Sequence, residues 1–552
     1  MSISIRKKKG TRKIKKESFV QSILVLMISQ VMIKVLGLVY KLYLTNKEGF
    51  GDIGNAIYNS GFQIYALLLA ISSTGVPNAI SKLISERLAK GDSKGVNKVF
   101  RTAFIFFAII GGIGSLILFF GASYISDVWL QIPESKLTLM ALSPAVFFVS
   151  IASVIRGYFN GYQRMKITAN SQTLEQVAKT FSTILIVEAI SIFFTNNVVI
   201  IAAAANLATT LSIIISFAYL YKYYKFRKRD MVGEEKQTCE EESYANKTTK
   251  EIIKAIIAIS IPISISSLVS AINKSIDSVT AVRGLKTFLP DTVAKYQFGI
   301  YTGKIDILVG LPLSFNVAFA TVLVPSIAKF IAKRENENAK KAINFSMLAT
   351  ILIGLPCTIG MIIFAKPILE LLFPNASEGA FLLQITSITI ILMMLAQTIG
   401  GVLQGIGKYK TPAVALACGV VAKLILNIIL IPIPSIGING VAISSIVCHL
   451  ISFGIVFIVL KRETKVKFPF KTFVIKPIVA TGIMGVLSYM IYYFGTKIMP
   501  ENIATIIAMG MALIIYAIAV LVLKILNKED IYRLPMGEKI YAFLEKSKIY
   551  RN

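Results

Sequence analysis

Residues Lys222 to Lys250 read KYYKFRKRDMVGEEKQTCEEESYANKTTK, the longest polar interruption in an otherwise apolar chain. On both sides of it apolar stretches of about 20 or more residues recur, each long enough to cross roughly 30 Å of hydrocarbon. The stretch therefore reads as a charged linker between two sets of membrane spans, and the fold class as an all-α integral membrane protein. About fourteen spans are expected, near 19–43, 56–80, 99–123, 137–160, 168–193, 197–221, 251–275, 297–325, 341–365, 380–406, 411–434, 438–460, 470–494 and 502–526. The expected organisation is a basic N-terminus (1–18), an N-terminal lobe (19–221), the linker (222–250), a C-terminal lobe (251–460), an extra pair of spans (461–526) and a tail (527–552).

Composition agrees with this reading. The 552 residues are 55% hydrophobic and 16% charged, whereas a soluble domain carries about a quarter of its residues as charges. The net charge of +30 invites nucleic acid as a partner, but the placement of the charge argues against it. Lys and Arg concentrate in alternate loops, as at Lys82, Arg87, Lys90, Lys94, Lys98 and Arg101, which is the positive-inside signature of topology. It places both termini in the cytoplasm, and no nucleic-acid partner is expected. The basic run Arg6 to Lys16 precedes an apolar stretch too long for a signal-peptide core, without a small-residue cleavage site, so the first span is read as uncleaved. Four cysteines, none in a CxxC pair, give no metal or redox motif.

The linker near the middle prompts a search for a repeat. Arg156-Gly-Tyr-Phe-Asn-Gly161, with Lys166, Ala169 and Val177-Ala-Lys179, matches Gly400-Gly-Val-Leu-Gln-Gly405, with Lys410, Ala413 and Val421-Ala-Lys423, at a constant offset of 244 residues. Val76-Pro77 with Ile80-Ser-Lys82 likewise matches Val324-Pro325 with Ile327-Ala-Lys329. Six spans per repeat give two halves of the same orientation, with a cleft between them. The last two spans have no counterpart.

Charges inside the spans point to the site, because each costs at least ~2.5–3.5 kcal/mol near the bilayer centre unless paired or wetted. The embedded set is Lys34, Glu175, Lys179, Lys304, Asp306 and Lys423, while Lys41, Glu188, Lys274 and Asp277 sit near enough to an interface to snorkel. Glu175 and Lys179 are spaced i,i+4, either as a self-satisfied pair or as part of a binding surface. Lys34 and Lys423 have no acid within a turn of their own helix, which makes them the better candidates to meet an anion. The headgroup site is therefore expected at Lys34, Lys179, Lys423 and Glu175. Lys304, Asp306, Arg156, Asp277 and Arg283 are candidates for gating ion pairs.

No catalytic residue, metal or cofactor is expected. His449 is the only histidine and reads as a buried packing or hydrogen-bonding residue rather than a proton relay. GIGK at 405–408 fails as a phosphate loop, with Tyr409 where Ser or Thr is needed. The glycine pairs 157/161 and 401/405 read as tight turns at the ends of spans.

Arg156-Gly-Tyr-Phe-Asn-Gly-Tyr-Gln, Lys166-Ile-Thr-Ala and Ser171-Gln-Thr-Leu-Glu-Gln176 resemble the RG[YF]FQG…PTAxSQxxEQ signature of the SpoVB-type polysaccharide exporters, as do Leu403-Gln-Gly-Ile-Gly-Lys408, Pro412 and Gly437-Ile-Asn-Gly440. That family shares a superfamily with the MurJ lipid II flippases, the Wzx O-antigen flippases and the MATE drug exporters. Val35-Leu-Gly-Leu-Val-Tyr40 is similar to the R-x-L-G motif of MurJ, with Lys34 where that family has arginine. Asn160, Ile167 and Tyr40 depart from the family residues. The resemblance covers nearly the whole chain. It implies two six-helix lobes with alternating access, two final helices beside a lipid-tail groove, and residence in the bacterial plasma membrane. It further implies transport of an undecaprenyl-pyrophosphate-linked glycan, lipid II first, driven by the membrane potential or an ion gradient rather than a cofactor. The expected partners are that glycan-lipid and the bilayer, with the cell-wall synthesis machinery as a candidate. The alternatives are a cation-coupled MATE-type drug antiporter, a flippase for capsule, O-unit or spore-cortex glycans, and a membrane glycosyltransferase or polymerase.

Overall fold

The computed structural model describes residues 19–70, 75–193, 197–232, 247–314, 316, 327, 330–331 and 335–526, without the side chains of 19–31, 34, 227–232 and 262. Among the described residues every regular element is helical. The N-terminal lobe comprises α1 (Phe19–Asn46), α2 (Gly51–Ala70), α3 (Val76–Ala89), α4 (Ser93–Phe120), α5 (Lys136–Gly161), α6 (Met165–Phe193) and α7 (Val198–Val232). The C-terminal lobe comprises α8 (Thr249–Leu285), α9 (Asp291–Ile300), α10 (Asn336–Ile363), α11 (Ala365–Leu372), α12 (Ala380–Gly405), α13 (Lys410–Leu430) and α14 (Asn439–Thr464). α9 runs through a π-turn (Tyr301–Ile305) into helical residues 306–314. α15 (Lys476–Gly495) and α16 (Glu501–Val522) pair with each other, and α15 packs on α10.

Among the described residues ten helices are long and apolar enough to cross a membrane, and α8 is an eleventh when the two parts flanking its 52° bend at residue 262 count as one span. Proline explains such a bend, since it removes a backbone donor and crowds the preceding turn. α1, α2 and 291–314 stand where spans one, two and eight are expected, and they are not among the eleven. α2 falls short for a reason that matters below. Asp52, Asn55 and Asn59 recur at helical spacing, forming a polar stripe inside an otherwise apolar helix.

Two boundaries differ from expectation because hydropathy ends before the helix does. α7 continues to Val232, so the first third of the presumed linker is helical, and 233–246 lie outside the described residues. α8 continues to Leu285, ten residues past the expected end of span seven. The repeat segment Val322 to Arg334 lies largely outside the described residues. The glycine pair 157/161 does not serve a turn. A Cβ at Gly157 would crowd Pro77 and Ile80, and one at Gly161 would crowd Ile84, so both glycines let α5 approach α3 closely.

Packing distinguishes the two faces of the bundle. One buried cluster joins the lobes, with Tyr40, Ile57 and Tyr58 among Phe298, Leu308, Leu369 and Phe373. Towards the other face each lobe has its own cluster, around Ile80, Leu83 and Phe159 in one and around Met347, Val402 and Val456 in the other. The joined side carries the loops 46–51, 121–135 and 286–290; because the sequence reading expects these loops outside, it is labelled the outer face below. The start of α8 belongs to the N-terminal cluster through Ile252 and Ile256, while the rest of that helix packs on both α13 and α2.

Candidate functional site

The two walls of the inter-lobe space are built differently. On the N-terminal side, Lys41 of α1 is buried, donates to Asn59 Oδ1 at 2.7 Å and lies 3.9 Å from the centre of the Tyr58 ring. Lys179 of α6 is also buried, 4.5 Å from the Phe62 ring centre and 4.9 Å from that of Tyr40. Lys41 lies within electrostatic reach of both Lys179 and Asp306. Among the described residues no carboxylate pairs with either lysine. Aromatic faces accept an ammonium through the ring quadrupole, which is how these charges are held without an acid.

On the C-terminal side, among the described residues, Lys274, Lys304 and Lys423 each meet a carboxylate. Lys423 of α13, 2% exposed, meets Asp277 of α8 at 2.7 Å. Asp277 also accepts from Asn427 at 3.1 Å and from the Tyr301 hydroxyl at 3.3 Å, and Ser444 donates to Asn427. Lys274 meets Asp306 at 2.7 Å. Both pairs line a cavity of about 250 Å³ with Tyr301, Gln397 and His449, which at roughly 30 Å³ per water is room for several.

The outer seam is closed by a third pair. Lys304 in the π-turn reaches Asp52 of α2 at 2.8 Å, both side chains shielded from solvent, and also donates to Ala376 O at 2.7 Å. A Cβ at Gly299 would collide with the Asp52 carbonyl oxygen and one at Gly303 with the Asn55 side chain, so glycine permits the contact of α2 with 299–304. Lys295 bridges to Glu134 at 2.6 Å, Arg283 donates to Val128 O at 2.7 Å, and Asn46 donates to Leu372 O at 2.9 Å.

Several expectations are corrected. Glu175 does not pair with Lys179; it meets Arg156 of α5 at 2.6 Å, and Arg156 also donates to Ser171 and Ser216. Lys423 finds its acid on another helix, where same-helix spacing gives no sign of it. Lys304 and Asp306, named as ion-pair candidates, each pair with a residue of a different element, Asp52 and Lys274. Asp277 and Lys41 do not snorkel but are buried. His449 is buried, as expected, and borders the cavity. The Lys34 side chain lies outside the described residues; its backbone precedes Lys41 by seven positions, on the same face of α1. Asp52, Asn59 and Lys41 are absent from the sequence-derived site, although the Asp52, Asn55, Asn59 spacing marks them as one face. Among the described residues no three His, Cys, Asp or Glu side chains converge as a metal site.

Comparison with known proteins agrees with the architecture. The family described as "Polysaccharide biosynthesis protein" matches residues 19–331, and the MatE family matches 291–429. The chain is 26% identical to the lipid II flippase MurJ of Bacillus subtilis over 78% of this chain and 80% of that protein. It is 24% identical to the stage V sporulation protein B of the same organism, over 94% and 98%. Among solved structures, a lipid II flippase MurJ in an inward closed conformation aligns with a TM-score of 0.65, at 16% identity, over 90% of this chain and 98% of that one. An inward-facing MATE multidrug transporter of the MOP superfamily gives 0.65 at 15% identity, over 80% and 98%. With its all-helical bundle and a family match over more than half of its length, the chain belongs to the polysaccharide biosynthesis protein family.

Proposed function

We propose that the chain carries an undecaprenyl-pyrophosphate-linked glycan from the inner to the outer leaflet by alternating access, with lipid II the first cargo to test. The observation that carries this reading is the pair Lys41 and Lys179, buried on one wall without a carboxylate. An unpaired charge in hydrocarbon is unfavourable, and a diphosphate placed against both ammonium groups relieves it. Each ammonium offers three N–H donors to phosphate oxygens. Lys34, seven residues before Lys41 in the sequence, is proposed as a further headgroup contact. Lys423, Asp277, Lys274, Asp306, Arg156 and Glu175 hold the walls in place through their mutual pairs, and Lys304 and Arg283 close the outer seam. The lipid tail stays in the bilayer, against the apolar surface that α15 and α16 expose. Moving a diphosphate outward runs down an inside-negative potential, worth ~2.3 kcal/mol per charge per 100 mV, so no cofactor is required. The setting is a bacterial plasma membrane with both termini in the cytoplasm, and the cell-wall synthesis machinery is the candidate protein partner.

A second reading, a cation-coupled drug antiporter, is favoured by the match of 291–429 to the MatE family. A cationic drug needs a free carboxylate in the cavity, and Asp277 and Asp306 both hold lysines.

The test is outer-leaflet exposure of lipid II in cells depleted of their own flippases, read by an added enzyme that cleaves the headgroup. Expression of this chain is expected to restore cleavage, and Lys41→Ala or Lys179→Ala to abolish it. No restoration by a protein shown to be in the membrane rejects lipid II as cargo, and drug-efflux assays then test the antiporter.

A further inference from the structure

The polar stripe on α2 connects two sites that have so far been described separately. Asn59 uses both ends of its amide: its oxygen accepts from Lys41 at 2.7 Å and its nitrogen donates to Thr302 Oγ1 at 3.3 Å. The Thr302 hydroxyl proton is committed to Phe298 O at 3.0 Å, so its oxygen is left to accept from Asn59. Thr302 belongs to the π-turn that carries Lys304, whose ammonium meets Asp52 two turns from Asn59 on the same face of α2. The line Lys41, Asn59, Thr302, Lys304, Asp52 thus runs from the cationic wall of one lobe to the outer closure between both. A π-turn is a strained interruption of a helix and recurs where a segment must change register.

We propose that Asn59 is a relay, a positioning residue that reports occupancy of the Lys41 and Lys179 wall to the outer seam. This rests on the anion-binding reading above. An anion reaching Lys41 competes with the Asn59 oxygen for the ammonium protons. Once released, the amide no longer holds Thr302 in place, the π-turn relaxes, and Lys304 parts from Asp52. Empty protein stays closed on the outside because Lys41 itself polarises the amide that pins the turn. The arrangement couples opening to cargo and prevents the outer seam from opening around an empty cavity. Coupling of this kind requires differential contact with two states, which the shared ammonium provides.

The experiment uses the full chain in nanodiscs, with Cys239, Cys357, Cys418 and Cys448 replaced by serine and spin labels at Asp127→Cys and Lys366→Cys. These exposed positions lie on opposite lobes, Asp127 in the helical turn 125–130 and Lys366 at the start of α11. The probe is undecaprenyl pyrophosphate, with undecaprenol as the uncharged control, and binding is measured separately by retention of radiolabelled lipid. Saturating undecaprenyl pyrophosphate is expected to raise the long-distance population about tenfold, and undecaprenol to leave it unchanged. Asn59→Ala is expected to flatten that response even at lipid concentrations that saturate retention, and Asn59→Gln to restore part of it. Asp52→Asn is expected to raise the long-distance population without lipid. If Asn59→Ala fails to fold, Asn59→Asp serves: its carboxylate claims Lys41 and is expected to weaken retention about tenfold. A wild-type response in Asn59→Ala, or wild-type retention by Asn59→Asp, overturns the relay. Retention of the lipid with no distance change in the wild-type sequence overturns the relay alone. Absence of retention overturns the anion-binding reading, and the relay with it.

Discussion

The two lobes treat buried lysines in opposite ways. In the C-terminal lobe the buried Lys304 and Lys423 each meet a carboxylate, as does the half-exposed Lys274. In the N-terminal lobe Lys41 and Lys179 meet rings and an amide, while Glu175, the acid one turn from Lys179, is taken by Arg156. The halves share a repeat, and Lys179 and Lys423 occupy matching places in it. One lysine of the matched pair is neutralised and the other is not. A cavity made wholly of paired charges would have nothing to offer an anion, and one made wholly of free cations would be hard to fold. Assigning one task to each wall resolves the conflict, and it makes the stability of the two walls respond in opposite directions to the same kind of mutation.

The largest effect is expected at the fully enclosed pair. Lys304→Ala leaves the Asp52 carboxylate buried without its cation and is expected to lower stability by about 3–5 kcal/mol. Lys423→Ala should cost less, about 1–3 kcal/mol, because Asp277 keeps Asn427 and Tyr301 as donors beside a cavity that admits water. Denaturant unfolding of the purified protein in detergent measures both, and the double variant Asp52→Asn/Lys304→Met should recover most of the larger loss. Equal losses at Lys304 and Lys423 would show that enclosure does not rank the pairs.

These partners explain what the sequence conveys and what it withholds. Span length and apolarity alone place α5, α12 and α14 to within a few residues, because hydrocarbon thickness constrains each helix separately. An ion pair between helices carries no such local mark. Lys423 and Asp277 are 146 positions apart, and only the i,i+4 relation of Glu175 and Lys179 is visible in sequence, where it suggests the wrong partner. Asp52 was hidden by its place before the apolar run, in what reads as a loop until α2 begins at Gly51. Lys41 reads as interfacial for the same reason, since Tyr58 and Asn59 of α2 cover it only once folded.

On the other wall the sign should reverse. Lys179→Met removes a buried charge that has only Tyr40 and Phe62 for company, and keeps an unbranched chain of similar volume. Cation–π contacts return ~0.5–2 kcal/mol of the desolvation cost, so the variant is expected to gain up to about 1 kcal/mol in the same unfolding assay. It should at the same time lose headgroup transport. A destabilised Lys179→Met would mean that the lysine is a structural member of its wall, and the contrast between the lobes would fail.

The smallest effect is expected where a charge is exposed, and it calibrates the others. Thr248 and Glu251 form a capping box at the start of α8: the Thr248 amide donates to Glu251 Oε2 at 2.7 Å, and the Glu251 amide donates to Thr248 Oγ1 at 3.3 Å. The hydrogen bond from the Thr248 backbone, then that from its side chain, holds the Glu251 carboxyl below its usual 4.5, with Lys247 and Lys98 adding attraction. A carboxylate with a lowered folded-state value stabilises above its ordinary value and loses that contribution as pH falls through the folded one. Exchange of the first-turn amides of α8, corrected for intrinsic rate, should therefore quicken as pH drops below about 4.5. Glu251→Gln keeps an acceptor in the box without a titrating group, so its profile should be flat. A wild-type profile equally flat would mean that the turn is held by burial of Ile252 and Ile256 in the N-terminal cluster, with no help from the cap. Because this carboxylate lies in solvent, its loss leaves global unfolding unmoved, unlike the enclosed charges of the two walls.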